Sequence, residues 1–124
     1  MKKNDGLVIS QTDRDKIATL LQGAPLNIAE LLGDELGRAT IVGDDVLPKE
    51  VVSMNSQIRF QDVETEKETT VILVYPSEAN LDQNKISLFT PVGSALIGLK
   101  IGQTIAWPFP GGKTRQLKVI SVEK

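Results

Sequence analysis

Residues 86–112, ISLFTPVGSALIGLKIGQTIAWPFPGG, read as strand, corner, short helix, glycine turn, strand and hairpin turn, and that order decides what the rest of the chain can be. Ile86, Leu88 and Thr90 alternate with Ser87 and Phe89, the period of a strand. Pro91 removes an amide donor and biases Thr90 away from the helical region, so the strand stops at the corner. Val92, Ala95, Leu96 and Leu99 then fall at offsets 0, 3, 4 and 7, one face of a two-turn helix over 92–99 with Ile97 off the stripe. Gly98 and Gly102 free the backbone for the helix exit and the next turn, a strand covers Gln103 to Phe109, and Pro110-Gly111-Gly112 closes it with a hairpin turn.

Working outward, Lys113 to Val122 completes the sheet. Leu117 and Val119 keep one phase while Ile120 and Val122 take the other, which calls for a bulge or burial on both faces. Upstream, Thr69 to Tyr75 is apolar on both faces and reads as a central strand ended by Pro76. Val52, Met54, Ser56, Ile58 and Phe60 form the core side of another strand over 51–60, and the acidic run Asp62 to Glu68 turns between the two. Before Gly43-Asp44-Asp45 and Leu47-Pro48 the period changes to that of helices. Thr12 is the expected N-cap of a first helix carrying Ile17, Leu20 and Leu21, closed by Gln22-Gly23-Ala24-Pro25. A second runs from Leu26 or Asn27 to Ala39 or Thr40, its stripe of Ile28, Leu31, Leu32, Leu36 and Ala39 interrupted by Glu35. Met1 to Leu7 reads as frayed, with Val8 and Ile9 a short extended entry. The expectation is an α+β fold: a short N-terminal helical hairpin over 1–46, then an antiparallel sheet of about five strands with one short helix over 47–124.

Composition narrows the chemistry. The 124 residues suit one modest core, and the chain has neither cysteine nor histidine, which removes disulfides, thiolate and imidazole metal sites and histidine acid–base catalysis. A formal charge of -2 and a pI near 5.1, with the basic residues scattered, argue against strong direct nucleic-acid binding. The opening MKKNDGLV lacks the apolar core of a signal peptide, and no apolar run approaches the roughly 20 residues that cross a bilayer, so a cytoplasmic protein with no membrane partner is expected. No catalytic residue, metal site or cofactor is expected, and the chain is read as a monomer. Asp44-Asp45 reads as a solvated turn and Asp62 to Glu68 as a charged hairpin end.

The ordered set Pro91, Ala95-Leu96, Gly98, Gly102 and Pro110-Gly111-Gly112 resembles the C-terminal domain of the Gre transcript-cleavage factors. With VVSMNSQIRF (51–60) and LVYPSEA (73–79) added, the chain is similar to the Rnk-type members of that family, small Gre-like regulators of nucleoside diphosphate kinase. The resemblance implies an FKBP-like fold for 47–124 and, for the N-terminal helices, a short coiled coil. It also implies a non-enzymatic regulator of transcription that binds RNA polymerase on the β′ subunit near the secondary channel and competes with longer Gre factors. Carried over by position, the polymerase-binding corner is Phe89-Thr90-Pro91: Pro91 matches, Thr90 replaces a serine, and Phe89 stands where the family has an acid. The acidic tip that supports transcript cleavage falls on Gln22 to Asn27, which contains no carboxylate, and a first helix of roughly 11 residues would rise only ~16 Å. Two alternatives remain open: a Gre-like cleavage factor, and an FKBP-like peptide-binding or prolyl isomerase module, for which Trp107 and Tyr75 are the candidate pocket aromatics.

Overall fold

In the computed structural model the described residues are 8–108 and 114–124, so the turn expected at Pro110-Gly111-Gly112 and the entry Met1 to Leu7 lie outside them. Strand β1 (Val8–Ser10) leads directly into helix α1 (Gln11–Leu20). Ser10 takes the N-cap, its hydroxyl accepting from the Asp13 amide at 3.2 Å, and Thr12 does something else: its amide donates to Asp44 at 3.1 Å and its hydroxyl to the same carboxylate. Both residues have a capping hydroxyl, and the carboxylate arriving from 32 residues away claims the second. A 3₁₀ turn over Leu21–Gly23 precedes helix α2 (Leu26–Arg38). Strand β2 (Thr40–Val42) then lies parallel to β1, with Ile9 opposite Ile41. The main neighbours of α1 are the 3₁₀ turn, β1 and β2, and those of α2 are the same 3₁₀ turn and the helix that follows the corner. Glu35, which interrupts the apolar stripe, is 5% exposed and is held by Arg38 at 2.7 Å.

The main sheet comprises β3 (Gln57–Asp62), β4 (Glu68–Val74), β5 (Lys85–Ser87), β6 (Thr104–Pro108) and β7 (Thr114–Glu123), in the order β5-β4-β3-β7-β6. Helix α3 (Pro91–Leu96) follows the corner. One expectation needs correction: the sheet is not wholly antiparallel, because β5 runs parallel to β4, with Leu73 opposite Ile86. The connection between them is long enough to reverse the chain twice. It passes through 3₁₀ turns at Pro76–Glu78 and Leu81–Gln83, and Asn84, at φ 58°, delivers the chain to β5 in the direction of β4.

Three strand or helix limits also differ from the periodic reading. The segment 51–56 is no strand: the Ser56 hydroxyl accepts from the Ser53 amide at 3.2 Å and Asn55 takes φ 67°, a local turn that brings Val51 as well as Val52 to full burial. The strand before the corner stops at Ser87. Helix α3 ends at Leu96, where Ile97 becomes extended (ψ 131°) and is buried although it lies off the helical stripe. The phase change in the last strand is a bulge: Ser121 pairs with Arg59 and Val119 with Phe60, leaving Ile120 as the extra residue.

A single apolar cluster joins the parts. Ile9, Ile17, Ile28 and Leu32 from the N-terminal segment pack with Ile58, Leu73, Leu88, Leu96, Ile105 and Val119. Burial of each such side chain contributes about 1.5–3 kcal/mol, so the helices are part of the body. Asp13 fastens them further. One of its oxygens accepts from the Met54 amide at 3.1 Å and the other from the Tyr75 hydroxyl at 3.1 Å. Burial, and then the negative charge of Asp13, push the Tyr75 phenol above its ordinary pKa, so it stays a protonated donor. Among the described residues no helix is long and apolar enough to cross a membrane.

Candidate docking cleft

The corner is built by hydrogen bonds that the sequence supplies locally. The Ser87 carbonyl accepts from the Thr90 amide at 3.1 Å and from its hydroxyl at 2.8 Å, while the Ser87 hydroxyl accepts from the Phe89 amide at 2.9 Å. Thr90 is the N-cap of α3: its hydroxyl oxygen accepts from the Gly93 amide at 3.0 Å, and Pro91 occupies the first helical position, where no amide is needed. Gly93 is required by closeness. A Cβ there would stand 2.3 Å from the Ser87 carbonyl oxygen and 3.1 Å from Leu88 Cα, so the helix approaches the strand end more closely than a side chain permits.

The three residues singled out in the sequence therefore sit together with unequal roles. Thr90 shapes the corner with its hydroxyl and Pro91 starts the helix. Phe89 is half-buried and packs on the apolar cluster, so its ring is shared between core and surface.

Beside the corner a cleft lies over the inner face of the sheet. At six residues α3 is only about 9 Å long, whereas five strands about 4.8 Å apart span about 19 Å. The cleft has a volume of about 740 Å³. Its floor is Phe60, Val71 and Leu117, and its corner side is Ile86, Thr90 and Val92. Phe60 and Val71 are 7% exposed and Leu117 2%, while Ile86 and Val92 are half-buried. A floor that shows only the tips of its side chains suits a few anchoring groups better than a flat face. The opposite face of the sheet is polar, with Gln57 and Arg59 exposed and Arg59 3.6 Å from Glu68.

The far end of the cleft is charged: Asp62, Lys67 and Arg115 line it with Thr65 and Thr69. Asp62 is anchored from three sides, accepting from the Glu64 amide at 3.0 Å and the Thr65 amide at 3.4 Å and pairing with Arg115 at 2.6 Å. Desolvation alone would raise its pKa. The two amides and the guanidinium outweigh that and hold the carboxyl below the usual carboxylate value. The sequence offered no signal for this grouping, since Phe60, Val71 and Leu117 read as ordinary core and 62–68 as a solvated turn. The other acidic pair is split: Asp44 caps α1 through Thr12, whose hydroxyl and amide bonds lower its pKa.

Against known proteins, the family model described as transcription elongation factor, GreA/GreB, C-term matches residues 47–124. The chain is 35% identical over 120 residues to the regulator of nucleoside diphosphate kinase of Escherichia coli (strain K12), covering 94% of this chain and 88% of that one. It is 37% identical over 89 residues to transcription elongation factor GreA of Syntrophomonas wolfei, covering 72% of this chain and 55% of that protein. A solved prokaryotic transcription elongation factor GreA/GreB from Nitrosomonas europaea superposes with a TM-score of 0.79 at 36% identity, over 98% of this chain and all of that one.

Proposed function

The chain belongs to the transcription elongation factor GreA/GreB C-terminal family, and from that premise we propose that it is a non-catalytic transcription regulator that docks on RNA polymerase near the secondary channel. The contact runs through the corner Phe89-Thr90-Pro91 and the cleft beside it, on the β′ subunit. The observation that carries this reading is the cleft floored by Phe60, Val71 and Leu117 next to a corner set by Thr90 and Gly93. A cleft with an apolar floor and half-buried sides is a place for an anchoring side chain of a partner.

The mechanism is occupancy. The turn joining α1 to α2 carries no carboxylate between Gln22 and Asn27, so it offers no anionic oxygen to a catalytic metal. Helix α1 has ten residues, about 15 Å, and Ile17, Ile28 and Leu32 are committed to the core. The helical hairpin then serves as a short plug at the channel entrance, and the FKBP-like body over 47–124 supplies the grip. The name of the relative in Escherichia coli refers to nucleoside diphosphate kinase, and an effect on that enzyme follows indirectly, through transcription. Phe60 is the one aromatic among the described residues that line the cleft, and Tyr75, a candidate aromatic for a prolyl isomerase pocket, lines a separate pocket beside α1.

Core RNA polymerase immobilised on beads tests the proposal. The chain is expected to bind, to be displaced by excess full-length Gre factor, and to produce no RNA shortening in stalled elongation complexes. Shortening that depends on this chain, or no binding to polymerase, would contradict it.

A further inference from the structure

The two edges of the main sheet are finished differently. At β5 the chain covers most of its own edge: Lys85 exchanges both backbone bonds with Asn80, each at 2.9 Å, and the Ser87 carbonyl accepts from Thr90. At β6 it does not. The Val119 amide donates to the Gln103 carbonyl at 3.1 Å and Ile105 stands opposite Leu117, so the alternation of an antiparallel ladder turns the Ile105 amide and carbonyl toward β7 and those of Thr104 and Ala106 away from it. Outside the β6–β7 pair neither Thr104 nor Ala106 has a backbone hydrogen bond among the described residues, and both are half-buried. Two amides and two carbonyls thus stand open on an edge strand, where a further strand can add. The ends of the edge are closed. The Gly102 amide is taken by the Val119 carbonyl at 2.8 Å, and Pro108 has no amide.

We propose that the occupant of this edge is β6 of a second copy of the chain, running antiparallel about a two-fold axis with Ile105 opposite Ile105. In that register Thr104 of each copy pairs with Ala106 of the other, and every open amide meets an open carbonyl. Centring the pair on Thr104 or on Ala106 instead sets the closed Gly102 amide or the amide-less Pro108 against an open carbonyl, which is left without a donor. Charge agrees with a partner identical to the chain itself. Residues 101–109, IGQTIAWPF, carry no charged side chain, so two copies of a chain with a formal charge of -2 bring no like charges opposite one another there. The pairing also stops at two, because the outer edges of the joined sheet are then the self-covered β5 strands. Ile105 is 1% exposed within one copy, so the pair gains backbone bonds and little apolar burial and forms only as concentration rises. No described residue of β6 lines the cleft, so this surface is separate from the docking surface and the inference stands without that reading. It replaces the monomer expected from the sequence with a weak dimer.

Sedimentation velocity of the full chain from micromolar to millimolar concentration tests the proposal, together with amide hydrogen exchange read residue by residue. The sedimentation coefficient is expected to rise with concentration. The Thr104 and Ala106 amides should exchange about twofold or more slowly at the high end, while the Ile105 amide, bonded within the chain, stays unchanged. Ala106→Pro removes one outward amide and no bond to β7, so it should keep the chain monomeric at the same concentrations with its thermal melt within a few degrees of the parent. Thr104→Lys, which leaves the backbone donors in place and adds a charge beside the axis, covers the case in which the proline variant fails to fold, and it should weaken association several-fold. A sedimentation coefficient that stays constant up to millimolar concentration would overturn the proposal. So would association undiminished in both variants, which would place the contact on another face. Slower exchange at Thr104 and Ala106 appearing only when core RNA polymerase is added would make the polymerase the occupant and overturn the second copy.

Discussion

Leu32 and Ile17 on the N-terminal side and Ile86 and Val92 beside the corner all pack on one apolar cluster. The first pair is fully buried by the chain's own helices, whereas the second is half-buried and edges an open cleft. The same kind of side chain therefore serves two ends. Where the chain covers its own sheet, apolar contact holds the fold together; at the cleft edge, on the docking reading proposed above, it would meet another molecule. Substitutions in the two regions should separate into those that cost stability and those that cost binding.

The largest expected effect is at Leu32. Leu32→Ala should lower unfolding free energy by about 2–5 kcal/mol in urea titration, with the polymerase affinity of the folded fraction unchanged. A loss below about 1 kcal/mol would show that the helices are dispensable to the core and would break the comparison. Gly93→Ala comes next, because the new methyl must displace the Ser87 carbonyl and the corner with it. About 1–3 kcal/mol of stability should be lost, and binding should fall beyond what unfolding explains. Val92→Ala sharpens the contrast from the other side: half-buried at the cleft, it should cost at most about 1 kcal/mol in the same titration yet weaken polymerase binding.

The smallest effect concerns acid. The folded-state pKa of Asp62 lies below its ordinary value of about 3.9, so the carboxylate's contribution is fully present above that value and is lost as pH falls through the depressed one. Asp62→Asn should therefore melt slightly below the parent at pH 7, and the two melting curves should converge in strong acid. A gap that persisted at low pH would assign the effect to the side-chain amide rather than to charge.

Much of this arrangement is legible in the chain itself. Thr90-Pro91 announces the start of a helix, the Leu26–Arg38 helix follows its apolar stripe, and the phase slip at Ile120 appears as a bulge. The failures have local causes. Val52, Met54 and Ser56 alternate like a strand, but a serine hydroxyl bond and a left-handed asparagine turn them into a loop. The parallel β4–β5 pair depends on two short 3₁₀ turns that carry no periodic signal. The cleft was invisible for a related reason. A helix of eight residues over 92–99 would have covered more of the sheet than the six-residue α3, and the lining comes from strands far apart in sequence whose residues each look like core. Arg115 and Asp62, 53 positions apart, meet only when β3 and β7 pair.

The central claim is that this cleft, and not the opposite face of the sheet, grips the polymerase. A photo-crosslinking amino acid placed at Val92, and in a second preparation at exposed Gln57 on the opposite face of the sheet, tests it directly. The account predicts a crosslink to the largest subunits of core RNA polymerase from position 92, lost on addition of excess Gre factor, and none from position 57. Crosslinking from position 57 with none from position 92 would contradict it.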